Sequence, residues 1–393
     1  MKKITITTLY KGFNYGSSLQ AYASKLYIAN LGYESEIIGY KDGIFKGRNF
    51  SFKKLIIMFL RTFWRPYLLK KTFLTYKNSL EKDIGRESKI KFINFYNENL
   101  NVKKFSWKEL KKYSRRKDVV ACLCGSDQIW NATNIYIDKI YYLKFAPQFK
   151  RVAYAPSFGK NSIPSYNIKA IKKNISTFNY ISVREDEGVN IIKKLINKDV
   201  QAMIDPTLLI NKKVWEQMVS NINELEEEKY ILAYFLDVPS EIALKIIKQL
   251  QEKYSCKIIC IPYKHSEFNF SNFKYLNGVG PLEFIWLVKN ASFVCTDSFH
   301  GTAFSINLNK NFLTFKRNYG SATDQSSRII TLLKKLCLQD RFVSEFIEND
   351  FNLINDRICF EKSNQLLENE RKKSKKYLIN AFTSIQKKEN NGV

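Results

Sequence analysis

Residues 291–315 read ASFVCTDSFHGTAFSINLNKNFLTF. Phe293-Val294-Cys295 is a short apolar run bounded by polar residues and predicts a strand. Thr296-Asp297-Ser298 supplies helix-capping side chains at its end. Phe299 to Leu308 carries small and apolar residues at helical spacing, and Phe312 to Phe315 resumes a strand. A turn that leads from a parallel strand into a helix N-terminus is where open α/β sheets put anion and ligand sites. Asp297, Ser298, His300 and Gly301 occupy that turn. His300 is one of two histidines in 393 residues. An imidazole suits proton transfer near neutral pH; the alternative is a histidine that caps the helix or packs on the sheet. The other, His265, reads as a loop residue in Tyr263-Lys264-His265-Ser266.

The same strand–turn–helix grammar runs outward from this stretch. Lys3 to Leu9 predicts the first strand, followed by a glycine-containing loop from Lys11 to Ser18, a helix over Leu19 to Leu31 and a strand over Ser35 to Tyr40. The loop at Asn14, Tyr15, Gly16 and Ser17 lies at the carboxyl end of the first strand, and its small residues would let a ligand approach backbone N–H groups, or form a plain tight turn. The pattern is neither GxGxxG nor a P-loop, so a nucleotide fingerprint is absent. Asp118 to Leu123 is a continuous apolar strand ending in Cys124-Gly125-Ser126-Asp127. Arg151 to Ala155 ends in Pro156-Ser157-Phe158-Gly159, and Tyr180 to Val183 ends at Arg184. An arginine there is a natural fork for a phosphate or carboxylate, or a surface ion pair with Glu185 and Asp186. Ala202 to Thr207 gives another strand end. A second series follows: strands at Tyr230 to Phe235, Lys257 to Ile261 and Phe293 to Thr296, with helices at Ser240 to Lys253, Pro281 to Lys289, Ser327 to Leu336 and Asn364 to Gln386.

The chain is long enough for two domains, each with its own core. The expected division is an N-terminal α/β lobe over 1–208, with a basic helical insertion at about 44–90, a C-terminal α/β lobe over 209–345 and a helical tail over 346–393. A net charge of +27, from 64 basic and 37 acidic residues, favours polyanions, acidic membrane surfaces or anionic substrates without choosing among them. Seven cysteines without a CxxC pair, beside two histidines, argue against a zinc site or disulfide framework and for a reducing compartment. MKKITITTLY enters a strand directly and has no apolar leader segment, so a cytoplasmic location is expected. Lys41 to Lys77 holds ten basic residues against the single acid Asp42, interleaved with Phe, Trp, Tyr and Leu. Such a stretch either lies on an anionic membrane surface, at the inner face of the cell membrane, or packs its apolar side on the domain with the basic residues solvated. No recognised nucleic-acid module accompanies the charge, and no nucleic-acid partner is expected.

Taken in order, Asn14-Tyr-Gly-Ser-Ser-Leu-Gln-Ala-Tyr22, Gly125-Ser-Asp-Gln-Ile-Trp-Asn131, Tyr154-Ala-Pro-Ser-Phe-Gly159, Ser182-Val-Arg-Glu185, Asp205-Pro-Thr207, Thr296-Asp-Ser-Phe-His-Gly301 and Ser327-Arg-Ile329 resemble the polysaccharide pyruvyl transferase family. The resemblance covers roughly residues 3 to 340. It implies a two-lobed fold similar to GT-B glycosyltransferases. It also implies transfer of pyruvate from phosphoenolpyruvate to a sugar of a cell-surface polysaccharide or its lipid-linked precursor, forming a ketal. Arg184 and His300 match the family's donor-side arginine and histidine. A protonated His300 would act as general acid or hold the leaving phosphate, and Arg184 would hold the carboxylate or phosphate bidentately. Asp127 and Asp297 are the candidate bases, unless either caps a helix. The remaining turn residues, Asn14 to Ser17, Gly125, Ser126, Ser157, Ser298 and Gly301, are candidates to line the substrates. The acceptor is expected on the N-terminal lobe and the donor on the C-terminal one, by fold analogy. No step requires a metal or cofactor. The competing readings are a nucleotide-sugar glycosyltransferase of the same architecture and a catalytically silent glycan-binding protein.

Overall fold

A computed structural model describes residues 2–41, 52–63, 65–70, 84–133, 135–223, 225–226, 228–261, 273–317, 326–344 and 357–390. His265 and much of the basic stretch at 41–77 lie outside them. Among the described residues, thirteen strands form two all-parallel sheets. The first contains β1 (Lys3–Thr7), β2 (Glu34–Tyr40), β3 (Lys103–Phe105), β4 (Val119–Cys124), β5 (Arg151–Ala153), β6 (Tyr180–Val183) and β7 (Gln201–Ala202). Their spatial order is β3-β2-β1-β4-β5-β6-β7. The second contains β8 (Tyr230–Tyr234), β9 (Lys257–Cys260), β10 (Phe273–Tyr275), β11 (Phe293–Thr296), β12 (Phe312–Phe315) and β13 (Phe342–Val343). Their order is β10-β9-β8-β11-β12-β13. This is the two-lobed GT-B arrangement. No helix among the described residues is long and apolar enough to cross a membrane.

Each sheet reverses its winding direction once, between β1 and β4 in the first and between β8 and β11 in the second. Both junctions are parallel, with Ile6 opposite Leu123 and Cys295 opposite Ala233, and the first slips by one residue between Lys3 and Ile4. The strands at the junctions are buried on both faces, which is why VVACLC at 119–124 reads as an unbroken apolar run. At such a junction the loops leaving adjacent strands diverge, and a ligand crevice opens at the carboxyl ends.

The first helix starts earlier than its apolar spacing predicts. It spans Tyr15–Asn30, because Asn14 accepts a hydrogen bond from the Ser17 N–H at 2.9 Å and caps it. The expected loop at residues 15–17 is therefore the helix's first turn. The edge strands β3, β10 and β13 are only two or three residues long and gave no periodic signal.

The lobes do not have wholly separate cores. Each has an outer apolar cluster of its own, around Trp130, Phe145 and Phe158 in the first and around Ile231, Ile247 and Phe293 in the second. The inner cluster is continuous across both, joining Ile4, Leu19 and Phe92 to Leu232, Phe284 and Phe304. The reason is that the helices Tyr15–Asn30, Pro281–Asn290 and Phe299–Asn307 share this inner layer and bury their apolar faces against one another. Tyr15 is its centre. Its ring stacks on Phe284 at 5.0 Å and meets Tyr234 edge-on at 5.8 Å, while its hydroxyl donates to the Val279 carbonyl at 3.1 Å.

The C-terminal helix, Phe360–Asn390, ties the lobes from behind. Glu370 pairs with Lys335 of the second lobe at 3.0 Å. The Tyr377 hydroxyl donates to the Ala153 carbonyl of β5 at 2.9 Å, and Glu389 pairs with the buried Lys150 at 2.8 Å. Between them, Arg371 donates from Nε to Leu208 O at 2.7 Å and from Nη2 to Asn307 Oδ1 at 2.9 Å. Asn307 in turn donates to the carbonyls of Thr207 and Ile210, each at 2.9 Å. Arg371 thus holds the crossover chain to a helix of the second lobe. Replacing Arg371 by Leu is expected to lower the unfolding free energy by about 2 kcal/mol, the scale of lost charge-assisted hydrogen bonds. Urea denaturation with an unchanged slope measures this, with the exposed Lys375→Gln shifting by less than about 0.5 kcal/mol as control.

Candidate active site

The carboxyl ends of the two sheets meet at the seam, and the polar residues there form one buried cluster. Its scaffold is the turn after β4. Gly125 has a φ of 120°, and a Cβ on it would lie 1.9 Å from the Tyr154 carbonyl oxygen, so only glycine fits. The turn is held open by backbone bonds. The Ser157 N–H donates to Asp127 O at 2.8 Å, and the Tyr154 N–H donates to Cys124 O at 2.9 Å. Gln20, one turn into the first helix, donates to Thr8 Oγ1 at 2.8 Å and accepts from the Ser126 N–H at 3.3 Å. The helix start and the β4 turn are thereby locked together.

Arg184 occupies the middle. It leaves β6 fully buried and donates through Nη1 to Asp205 Oδ2 at 2.8 Å and through Nη2 to Asp127 Oδ1 at 3.4 Å. Its guanidinium carbon lies 4.4 Å from the centre of the Phe299 ring of the second lobe. Asp127 is fixed on its other oxygen by the Ser17 hydroxyl at 2.6 Å. Asp205 does two jobs. One oxygen caps the short helix Pro206–Leu209 by accepting from Thr207 N at 3.0 Å and Thr207 Oγ1 at 2.9 Å. The other faces Arg184, and Ser126 Oγ at 3.0 Å. Burial acts to raise both carboxyls. For Asp127 the charges of Arg184, His300 and Arg328 and the Ser17 hydrogen bond together outweigh it, and for Asp205 His300, Arg184 and the Thr207 N–H together do, so each stays below the ordinary carboxylate range.

His300 reaches the cluster from the first turn of the helix Phe299–Asn307, whose cap is Ser298. Its Nε2 lies 3.8 Å from Asp205 Oδ2 and, among the described residues, has no hydrogen-bond partner although the side chain is buried. The ring sits against Gly16. A Cβ there would lie 2.0 Å from Nδ1 and 2.3 Å from Cγ. Gly16 is thus required for contact between the lobes rather than for a turn. Two further groups complete the surroundings. Arg328, from the helix Ser327–Lys335, lies with its guanidinium carbon 5.8 Å from the same Phe299 ring. Burial, then the charge of Arg184, pushes it down to about 10. Glu185 accepts at one oxygen from Ser157 Oγ at 3.0 Å and Phe158 N at 2.8 Å, while its Oε2 is buried with no partner. Burial raises its carboxyl despite both arginines.

The structure brings together His300, Arg184, Asp127, Gly16, Ser17 and Ser126. Other predicted residues have different duties. The Tyr15 ring belongs to the shared apolar core, not to an open loop. Asn14 and Ser298 are helix caps. Gly301 gives close approach to Thr296, whose Oγ1 would be 2.5 Å from a Cβ. Ser157 serves Glu185. Asp297 turns away toward the β8 loop, accepting from the N–H groups of Leu236 at 2.6 Å and Asp237 at 3.1 Å and from Arg317 Nε at 3.0 Å. Its oxygens are held as a bracket for that loop, which leaves the general-base expectation to Asp127. The bidentate fork expected of Arg184 is likewise turned inward, onto Asp205 and Asp127. Sequence reasoning passed over Asp205, Glu185 and Arg328 as site residues, although each lies within a quoted motif.

A family model, polysaccharide pyruvyl transferase, matches residues 14–319. The chain belongs to this family. No curated protein matches it significantly. Among solved structures, it is similar to a UDP-GlcNAc 2-epimerase from Neisseria meningitidis bound to UDP-GlcNAc. Identity is 12%, coverage is 97% of this chain and 100% of that one, and the TM-score is 0.51. An O-GlcNAc transferase from Thermobaculum terrenum matches at 9% identity, over 98% and 65% of the two chains, with a TM-score of 0.42. A heptosyltransferase from E. coli matches at 9%, over 93% and 99%, with a TM-score of 0.37. The epimerase likeness bears on the fold alone.

Glu185 gives a pH signature free of its neighbours. A carboxyl raised on folding contributes stability that is complete below its unfolded pKa, about 4.3, and is lost as pH rises through the folded value. Asp127 and Asp205 act oppositely, losing their contribution only as pH falls below about 3.9. Glu185→Gln is therefore expected to gain stability relative to the parent as pH rises from 4.5 to 8. Urea midpoints at those two pH values check it; a constant difference would contradict the raised carboxyl.

Proposed function

We propose that this member of the polysaccharide pyruvyl transferase family transfers the pyruvyl group of phosphoenolpyruvate to two hydroxyls of a sugar. The sugar belongs to a cell-surface polysaccharide or its lipid-linked precursor. The observation that carries this reading is His300 Nε2, buried at the lobe seam without a hydrogen-bond partner, 3.8 Å from Asp205 and beside two guanidiniums that share the Phe299 ring. A buried ring nitrogen with no partner is costly unless a ligand completes it.

The chemistry has three demands. A proton must reach the methylene carbon, the positive charge then developing at the neighbouring carbon must be tolerated, and phosphate must leave. In the proposed sequence His300 Nε2 gives the proton to the methylene carbon. One acceptor hydroxyl adds to the resulting oxocarbenium centre, phosphate departs, and the second hydroxyl closes the ketal. Of the two hydroxyl protons, one replaces the proton given by His300 and the other leaves with the phosphate as hydrogen phosphate. The attacking hydroxyl becomes strongly acidic as its bond forms. A carboxylate held low by Arg184, as Asp127 is, therefore suffices to accept its proton.

Arg184 is assigned a positioning role. Both its terminal nitrogens point at carboxylates, so it fixes Asp127 and Asp205 and keeps them ionised. Arg328 is the group assigned to the donor's anionic charge, because burial and then the charge of Arg184 hold its guanidinium down, and an arriving anion offsets both.

Thermal melting with phosphoenolpyruvate and, separately, UDP-N-acetylglucosamine tests the donor. The melting temperature is expected to rise with phosphoenolpyruvate concentration and not with the sugar nucleotide. The rise is expected to shrink in Arg328→Gln, and Gly16→Ala is expected to abolish transfer by displacing the His300 ring. A response to the sugar nucleotide alone would favour glycosyl transfer. Cells carrying His300→Ala should lose acid-labile pyruvate from their surface glycan; unchanged glycan would count against an enzymatic role.

A further inference from the structure

The helix Phe52–Phe63 is packed inside out. An amphipathic helix on a globular protein normally turns its apolar stripe to the core. Here Ile56, Phe59, Leu60 and Phe63, at the i, i+3, i+4, i+7 spacing of one such stripe, are exposed, with Phe59 at 68% and Phe63 at 71%. The docked side is Met58, which packs on Ile135, and Thr62, whose hydroxyl donates to Met58 O at 2.7 Å. The orientation is fixed by arginines. Arg61 donates to Ile135 O and, at 3.2 Å, to Asn167 Oδ1; Arg65 donates to Tyr166 O at 3.1 Å. The exposed stripe continues past the helix through Tyr67, at 67%, and Leu69. Six of the fourteen exposed large apolar side chains among the described residues fall between residues 56 and 69. Such concentration marks a contact surface rather than scattered exposure.

We infer that this face is a membrane-docking surface that inserts Phe59, Phe63 and their neighbours into the interfacial layer of an anionic phospholipid bilayer. The argument for lipid is the charge around the patch. Residues 41 to 77 hold ten basic side chains and one acidic in sequence, in a chain of net charge +27. An apolar stripe of aromatic and aliphatic side chains interleaved in sequence with Lys and Arg has the composition of an interfacial helix. The basic residues draw it to acidic headgroups, and the apolar ones supply insertion. The inferred contact is interfacial: the exposed stripe lies along the helix face and does not require a spanning segment. The inference is independent of the chemistry at the lobe seam, since the helix lies in the segment between β2 and β3 and shares no residue with the His300 cluster.

The test is co-sedimentation of the full chain with phosphatidylcholine vesicles, with and without phosphatidylglycerol. The parent is expected to bind the anionic vesicles and to be released by salt. Phe59→Asn/Phe63→Asn is expected to weaken binding by roughly tenfold or more while melting at the parent temperature, because both side chains are already in water. The single variant Tyr67→Ser, with a smaller loss, serves if the double variant folds poorly. Vesicle binding unchanged by both variants, equal binding to neutral vesicles, or no binding by the parent would each overturn the inference. A parent dimer in sedimentation velocity that the same variants dissociate, without vesicle binding, would assign the face to a second copy of the chain instead.

Discussion

One guanidinium held between two carboxylates governs this protein. Arg184 is buried, and so are Asp127 and Asp205 on either side of it. Taking three charges out of water is expensive, and their attraction repays it only with good geometry and a partner for every remaining polar atom. The chain supplies most of those partners from scattered places: Ser17 from the first helix, Ser126 from the β4 turn, Thr207 from the crossover, and the Phe299 ring from the other lobe, while Arg184 Nε has none among the described residues. Removing any one of the three charges strands the others in a low-dielectric seam. The arrangement therefore fixes the relative position of four loops, and the site inherits its geometry from that requirement.

The shared inner core has the same effect on a larger scale. In a two-lobed enzyme with separate cores, the lobes can hinge with little loss of packing. Here the Tyr15 ring stands between Phe284 and Tyr234, and Trp215 meets Tyr22 on one lobe and Phe304 on the other. Opening the seam at this layer exposes apolar surface and breaks aromatic contacts. Behind it, Asn307 and Arg371 hold the crossover chain by its carbonyls. Substrate exchange without disrupting that layer has to use the loops at the carboxyl ends.

The fold was legible where local and global preferences agree. The buried strands β4, β6, β11 and β12 appear in the sequence as apolar runs closed by Gly125, Arg184, Asp297 and Lys316, and the structure places them where those runs fall. The edge strands β3, β10 and β13 left no trace, since two or three paired residues carry no period. The site was half legible. His300, Arg184 and Asp127 are read from residue type at a strand's end. Tyr15 was misjudged because a residue in a small polar run reads as loop, and only the opposing Phe284 shows its ring to be core. Asp205 was overlooked for a similar reason. Asp-Pro-Thr reads only as a strand end; in the structure Asp205 caps a helix with one carboxylate oxygen and gives the other to Arg184. Likewise nothing local distinguishes Asp127 from Asp297, which follow equivalent strands; what separates them is whether the nearest cation is Arg184 or Arg317.

Gly16 and His300 are separated by most of the chain, yet the space for any side chain at 16 is occupied by the imidazole at 300. The two positions are therefore not free to evolve independently. While the histidine is kept, residue 16 has no substitute, since even a methyl group collides with the ring. Once the histidine is lost, nothing at that contact demands glycine, and larger residues at 16 would help fill the vacated volume. Among relatives, the residue at the first helix's second position thus becomes a record of whether the seam still holds its imidazole, and drift there would mark lineages that have abandoned the chemistry while keeping the fold.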